Sequence, residues 1–132
     1  MDIYGGILPY EELPCVYSSA KIILGMNCDD TSATQTSMRP YEALACGGGL
    51  FLAHYTKAQE NLFGDLIFQA KNKEETLELM EMILHMDSEE RQEIARKAQK
   101  EVYEKHNYAA RAQQIVEVYT RAYGSDRLPG KE

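Results

Sequence analysis

Apolar residues along this chain follow two patterns, and the change between them falls near residue 72. Before it, they come in short consecutive runs: Lys21-Ile-Ile-Leu-Gly-Met26, Leu50-Phe-Leu-Ala53 and Asp65-Leu-Ile-Phe-Gln69. Consecutive rather than alternating apolar residues are the mark of strands covered on both faces of a parallel sheet. Ile3 to Leu8 is a weaker fourth candidate, because Gly5 and Gly6 disfavour a strand interior. The intervening segments carry helical spacing. Pro9 to Ala20 places Leu13, Val16, Tyr17 and Ala20 on one face, and Pro14 implies that its first turn restarts or bends. Pro40 to Cys46 and Lys57 to Phe63 are shorter helices. Strand, helix, strand, helix, strand predicts a doubly wound α/β arrangement.

After residue 72 the period is helical throughout. Asn72 with Glu75, and Asp87 with Glu90, form possible capping boxes for helices running to about His85 and about Lys105. Leu77, Met80, Ile83 and Leu84 make the inward face of the first, and Ile94, Ala98 and Val102 that of the second. Asn107 caps a third, with Ala112, Ile115, Val116, Tyr119 and Ala122 inward. The expected organisation is one domain over residues 1–124, with a βα core to residue 71 and helices from 72, then a disordered polar tail over 125–132.

The chemistry concentrates around Arg39-Pro-Tyr-Glu-Ala-Leu-Ala-Cys-Gly-Gly-Gly49. Proline suits the first helical position, and glycine ends helices by adopting the left-handed conformation. The polar loop Asn27 to Ser37 precedes this helix at the carboxyl end of a predicted strand, where α/β proteins hold ligands. A helix start after such a loop suits a phosphorylated ligand. Glu42 reads either as a partner of the helix dipole, a modest effect of roughly 0.3–1 kcal/mol, or as a bidentate acceptor for two ribose hydroxyls. Arg39 reads as a surface cation or as a phosphate clamp. The three glycines follow a helix and precede a strand, the reverse of a phosphate-cradling loop. They read as helix stop and close packing.

Composition narrows the possibilities. The net charge of −7 is spread over the helices without a basic stripe, which argues against nucleic acid or an anionic membrane as partner. No apolar run approaches the length of a membrane span, and the start lacks a basic signal-peptide region. Cys15, Cys28 and Cys46 form neither a zinc pattern nor a disulfide framework, so the expectation is a reduced, cytoplasmic protein with no metal and no cofactor. Asp29-Asp30 reads as turn chemistry rather than a magnesium site. His54, His85 and His106 lack metal-ligand spacing, and His54 alone falls at the carboxyl end of a strand, which keeps it as a minor site candidate.

Four segments in order resemble a known family. Tyr10-Glu-Glu-Leu-Pro-Cys-Val-Tyr-Ser-Ser-Ala-Lys-Ile-Ile-Leu24, Arg39-Pro-Tyr-Glu-Ala-Leu-Ala-Cys-Gly47, Glu60-Asn-Leu-Phe63 and Glu104-Lys-His-Asn-Tyr-Ala-Ala-Arg111 are similar to the C-terminal part of group 1 glycosyltransferases. Within these, the similarity is greatest to the spore-maturation-type glycosyltransferase-like branch, and it runs from about Gly6 to Tyr119. The resemblance implies a GT-B architecture, a pair of Rossmann-like domains with a nucleotide-sugar held in the C-terminal one. It implies that Glu42 contacts the donor's ribose, and that Thr36, Ser37 and Arg39 are phosphate or sugar contacts. The nucleotide-sugar is then a substrate rather than a cofactor, and the acceptor is unspecified.

Two departures accompany the resemblance. Many group 1 enzymes carry a second glutamate eight residues before the one matching Glu42, where this chain has Thr34. A full C-terminal domain also has about six parallel strands in the order 3-2-1-4-5-6, whereas this chain supplies three or four. The expectation is therefore a partial Rossmann-like sheet followed by a helical segment, belonging to a longer protein and inactive by itself. An exposed sheet edge implies self-association. The alternative is a non-catalytic interaction or scaffold module that keeps the fold.

Overall fold

The computed structural model describes residues 5–26 and 32–124. A single 3-10 turn at Tyr10–Glu12 leads into helix α1 (Leu13–Ser19), followed by strand β1 (Ile22–Gly25), helix α2 (Arg39–Cys46), strand β2 (Leu50–His54) and helix α3 (Lys57–Phe63). A second 3-10 turn at Gly64–Leu66 precedes strand β3 (Phe68–Ala70), and three helices follow: α4 (Lys73–His85), α5 (Ser88–Lys105) and α6 (Tyr108–Tyr123). The strands form one parallel sheet in the order β1-β2-β3, with Ile23 opposite Phe51 and Ala53 opposite Gln69. Sheet and flanking helices make a partial Rossmann-like α/β fold.

The central strand organises the core. Alternate residues of a strand point to opposite faces, and both faces of β2 are covered. Phe51 and Ala53 join Ile23, Ala43, Leu44, Phe63, Ala98 and Val102 in the larger cluster, on the side where α2 packs against both α1 and α5. Leu50 points the other way and meets Ile83 of α4 and Ala95, with Ile22 and Phe68 packed alongside. The triple glycine makes the turn between α2 and β2 possible. Gly47 adopts φ 68° and ends α2, and the Gly49 N–H donates to the Tyr17 carbonyl at 3.1 Å. At Gly48 the backbone of Ser18 occupies the space a Cβ would need.

Several elements differ from the expectations. Gly5 to Leu8 forms no strand, with Gly6 at φ 98° and Ile7 93% exposed, so the sheet has three described strands rather than four. Residues Ile3 and Tyr4 of that candidate lie outside the described residues, as do Asn27 to Thr31 and the tail from Ser125. β3 starts three residues later than the pattern suggests, because Gly64, at φ 53°, ends α3 and the chain turns before pairing with β2. β1 is not buried on both faces: Ile23 is buried, but Leu24 is 49% exposed. Pro14 does restart the first helix, which is 3-10 before Leu13 and α after it.

Caps explain where the late helices begin. Asn72 Oδ1 accepts from the Glu75 N–H at 2.8 Å, while the Glu75 carboxylate accepts from Asn72 Nδ2 and from the Lys71 N–H. Asp87 caps α5 through the Glu89 N–H, not through a reciprocal box with Glu90. Asn107 caps α6 through the Ala110 N–H. Ile83, Ala98 and Val102 are buried as their spacing predicts, but Leu77 and Leu84 are exposed. None of α6 is buried, and Ile115 and Val116 of its apolar face are exposed.

Candidate functional site

The carboxyl ends of parallel strands and the helix starts that follow them form one rim of the molecule. On the α1, α2 and α5 side of that rim lies a groove of about 500 Å³, bounded by Tyr10, Tyr41, Glu42, Tyr103, His106 and Arg111, among others. This size is ordinary for a small-molecule site. Each wall comes from a local feature already described. The 3-10 turn at the start of α1 brings Tyr10, the first two turns of α2 bring Tyr41 and Glu42, and the break between α5 and α6 brings His106 and Arg111.

Glu42 lies one residue deeper in its helix than the Pro40 signature implies, because Arg39 already has helical geometry and Met38 is the cap. Its N–H is bonded to the Met38 carbonyl at 3.2 Å, and its own carbonyl accepts from the Cys46 thiol. No hydrogen bond or ion pair engages its carboxylate among the described residues. Cys46 sits below it, with a thiol pKa raised by burial and then by the Glu42 charge. It is a poor thiolate and no candidate nucleophile.

An aromatic layer lies beside the groove. The His106 ring lies 5.6 Å from both the Tyr41 and the Phe63 rings, which themselves meet edge to face at 4.9 Å. Arg111, one turn into α6, donates from Nη2 to His106 Nδ1 at 2.7 Å and from Nη1 to Gln114 at 2.9 Å. Burial lowers the His106 pKa, and the Arg111 charge lowers it further, so the ring is neutral with its proton on Nε2. Both partners of Arg111 are thus uncharged. The groove holds an unpaired carboxylate and a guanidinium with no carboxylate partner among the described residues.

The other expected site residues are dispersed. Arg39 and Ser37 are exposed and lie outside the lining of the groove. Thr36 is half-buried, and its hydroxyl oxygen is shielded from solvent without a partner. The loop carrying these residues is tied to α3: the Thr56 hydroxyl donates to the Gln35 carbonyl and caps α3 by accepting from the Gln59 N–H, while the Ala58 N–H donates to the Ala33 carbonyl. His54 is exposed in a separate cleft of about 420 Å³ over the strand ends, with Leu24, Met26, Lys71 and Asn72. Among the described residues no group of His, Cys, Asp or Glu side chains is gathered as a metal site. Residue spacing in the sequence gives neither His106 nor Arg111 a site role. The signal that pointed to them was the Glu104–Arg111 segment of the resemblance.

A family model described as glycosyl transferase-like matches residues 2–117. The chain belongs to that family. No curated protein and no solved structure matches it. Among the described residues, no helix is long and apolar enough to cross a membrane.

Proposed function

We propose that this chain is the donor-binding portion of a nucleotide-sugar-dependent glycosyltransferase, related to the spore-maturation-type branch and acting in the cytoplasm. The observation that carries the proposal is one groove lined both by the Glu42 carboxylate, unengaged among the described residues, and by aromatic side chains with the Arg111 guanidinium. A carboxylate can accept from two vicinal hydroxyls at once, as a ribose presents them. Exposed Tyr10, Tyr103 and Tyr108 rings beside it offer faces on which a base can stack.

The reaction is transfer of a glycosyl group to an acceptor hydroxyl as the nucleoside diphosphate leaves. Charge develops on that diphosphate, and groups oriented in advance toward it lower the barrier. The start of α2 contributes here: Met38 supplies no side-chain cap, so the first N–H groups lack a capping side chain, with Arg39, Ser37 and Thr36 beside them. His54, in its separate cleft, has a secondary place near the sugar or acceptor. The chain alone is inactive in this reading, because it supplies only one wall of the reaction site. Thr34, at the position where the resemblance to group 1 enzymes implies a glutamate, favours the second reading of a non-catalytic module that retains the fold.

Titration calorimetry with uridine, guanosine and adenosine diphosphates tests the proposal. Binding by one of them is expected, and Glu42→Ala should weaken it about 10- to 100-fold, as loss of hydrogen bonds to a charged group entails. Binding that Glu42→Ala leaves intact refutes the ribose role, and no binding of any diphosphate favours the scaffold reading.

A further inference from the structure

The charges around the groove are unevenly satisfied. Glu101 is ion-paired with Lys105 at 2.6 Å and Glu104 with Lys100 at 3.9 Å, while Asp65 is held by Lys97 at 3.3 Å. Arg111 has no such partner within ion-pair distance among the described residues. It is nevertheless not a loose surface cation. The bonds to His106 and Gln114 orient its planar fork, and both acceptors are neutral, so no described residue pairs with its charge. The His106 ring is in turn fixed against Tyr41 and the buried Phe63. An oriented guanidinium that no described residue pairs with, on the wall of a concave site, is suited to an incoming anion.

We propose that Arg111, positioned by His106, binds a phosphate of the donor nucleotide in the groove that Glu42 also lines. This rests on the nucleotide reading above, and it adds a phosphate ligand that the helix-start residues do not supply within the groove. With the ribose hydroxyls at Glu42, the group a nucleotide carries at the far side of its sugar is a phosphate. Arg111 lines the same groove, whereas Arg39 does not. His106 is a positioning residue: its neutral Nδ1 accepts from Arg111, and a protonated ring would repel the guanidinium instead.

The test is an NMR titration of the 132-residue chain with a nucleoside, its diphosphate and inorganic pyrophosphate, in the native protein and in Arg111→Gln, Arg111→Lys, Arg39→Gln and Glu42→Ala. Arg111→Gln is expected to weaken the diphosphate by about tenfold or more while leaving the nucleoside unchanged. Arg111→Lys should retain part of the phosphate preference, and Glu42→Ala should weaken nucleoside and diphosphate alike. Bound diphosphate should also raise the His106 pKa in the native protein, since the anion offsets the Arg111 charge, and should not do so in Arg111→Gln. The other groups acting on that ring, Glu101 and Lys105 on α5 and Tyr41 on α2, are common to both proteins. Undiminished diphosphate binding by Arg111→Gln, equal loss of nucleoside and diphosphate, or a loss confined to Arg39→Gln overturns the assignment while leaving the ribose role of Glu42 standing. Failure of the native protein to bind nucleoside or diphosphate overturns the nucleotide reading itself. In that event, pyrophosphate binding that depends on Arg111 marks a plain anion site and overturns the donor-phosphate assignment as well.

Discussion

Replacing Gly48 by alanine tests the packing that places α1 beside the Glu42 groove. A Cβ at Gly48 would fall onto the carbonyl oxygen, Cα and carbonyl carbon of Ser18, all backbone atoms at the end of α1. A flexible side chain could swing aside, but a backbone segment can yield only by moving the helix end. That end also accepts the Gly49 N–H at Tyr17 and leads to the Lys21 carbonyl bonded by Leu50. Overpacking a core costs about 1–3 kcal/mol, and weakening one of these hydrogen bonds adds about 1 kcal/mol. The smaller entropy of an alanine-containing unfolded chain returns about 0.4–1 kcal/mol. The net expectation is a loss of about 2 kcal/mol. In urea, with a slope of about 1–3 kcal/mol per molar, the midpoint should fall by about 0.7–2 M. Gly5→Ala is the control, since nothing lies within 4 Å of its added Cβ. If Gly48→Ala unfolds within about 0.5 kcal/mol of the native protein, α1 does not rest on the glycine turn and its place in the groove is wrong.

Two further outcomes follow from the same structure. Because His106 has a lowered pKa when folded, the unfolded chain binds the proton more readily as pH falls below about 6.5. Its contribution to stability is therefore present above that value and lost as pH falls through the folded pKa, and Arg111→Gln, by removing one cause of the shift, should shallow this dependence in denaturation curves. The half-exposed β1, with Leu24 and Met26 open to solvent, and the uncovered face of α6 should promote self-association, seen as a concentration-dependent mass in light scattering. A monodisperse 15.0 kDa monomer at high concentration refutes it.

Much of the fold was legible because local chemistry decided it. The consecutive apolar run Leu50 to Ala53 became the central strand, Asn72 and Asn107 became the caps their spacing announced, and Gly47 took the left-handed conformation that ends α2. Misreadings came where burial depends on distant neighbours. Leu24, Leu77, Ile115 and Val116 are apolar at the right intervals yet exposed, since periodicity states which side of an element is apolar and not whether another element covers it. The Asp65 to Gln69 run was also apolar, but Gly64 and the turn after it decided where pairing with β2 could begin.

The site divides the same way. From the sequence alone came the helix at Arg39, the carboxylate Glu42 within its first turns, and the structural role of the glycines, all consequences of residues within a few positions of one another. Tertiary structure decided what shares a groove with Glu42. Arg39, its near neighbour in the chain, lies outside the groove, while His106 and Arg111, more than sixty residues away, line it with Glu42. A helix fixes neighbours by its own geometry, but a groove is closed by packing: the apolar contacts of Ala43 and Leu44 with Ala98 and Val102 bring α5 onto α2, and the cap at Asn107 then turns Arg111 toward the carboxylate's groove.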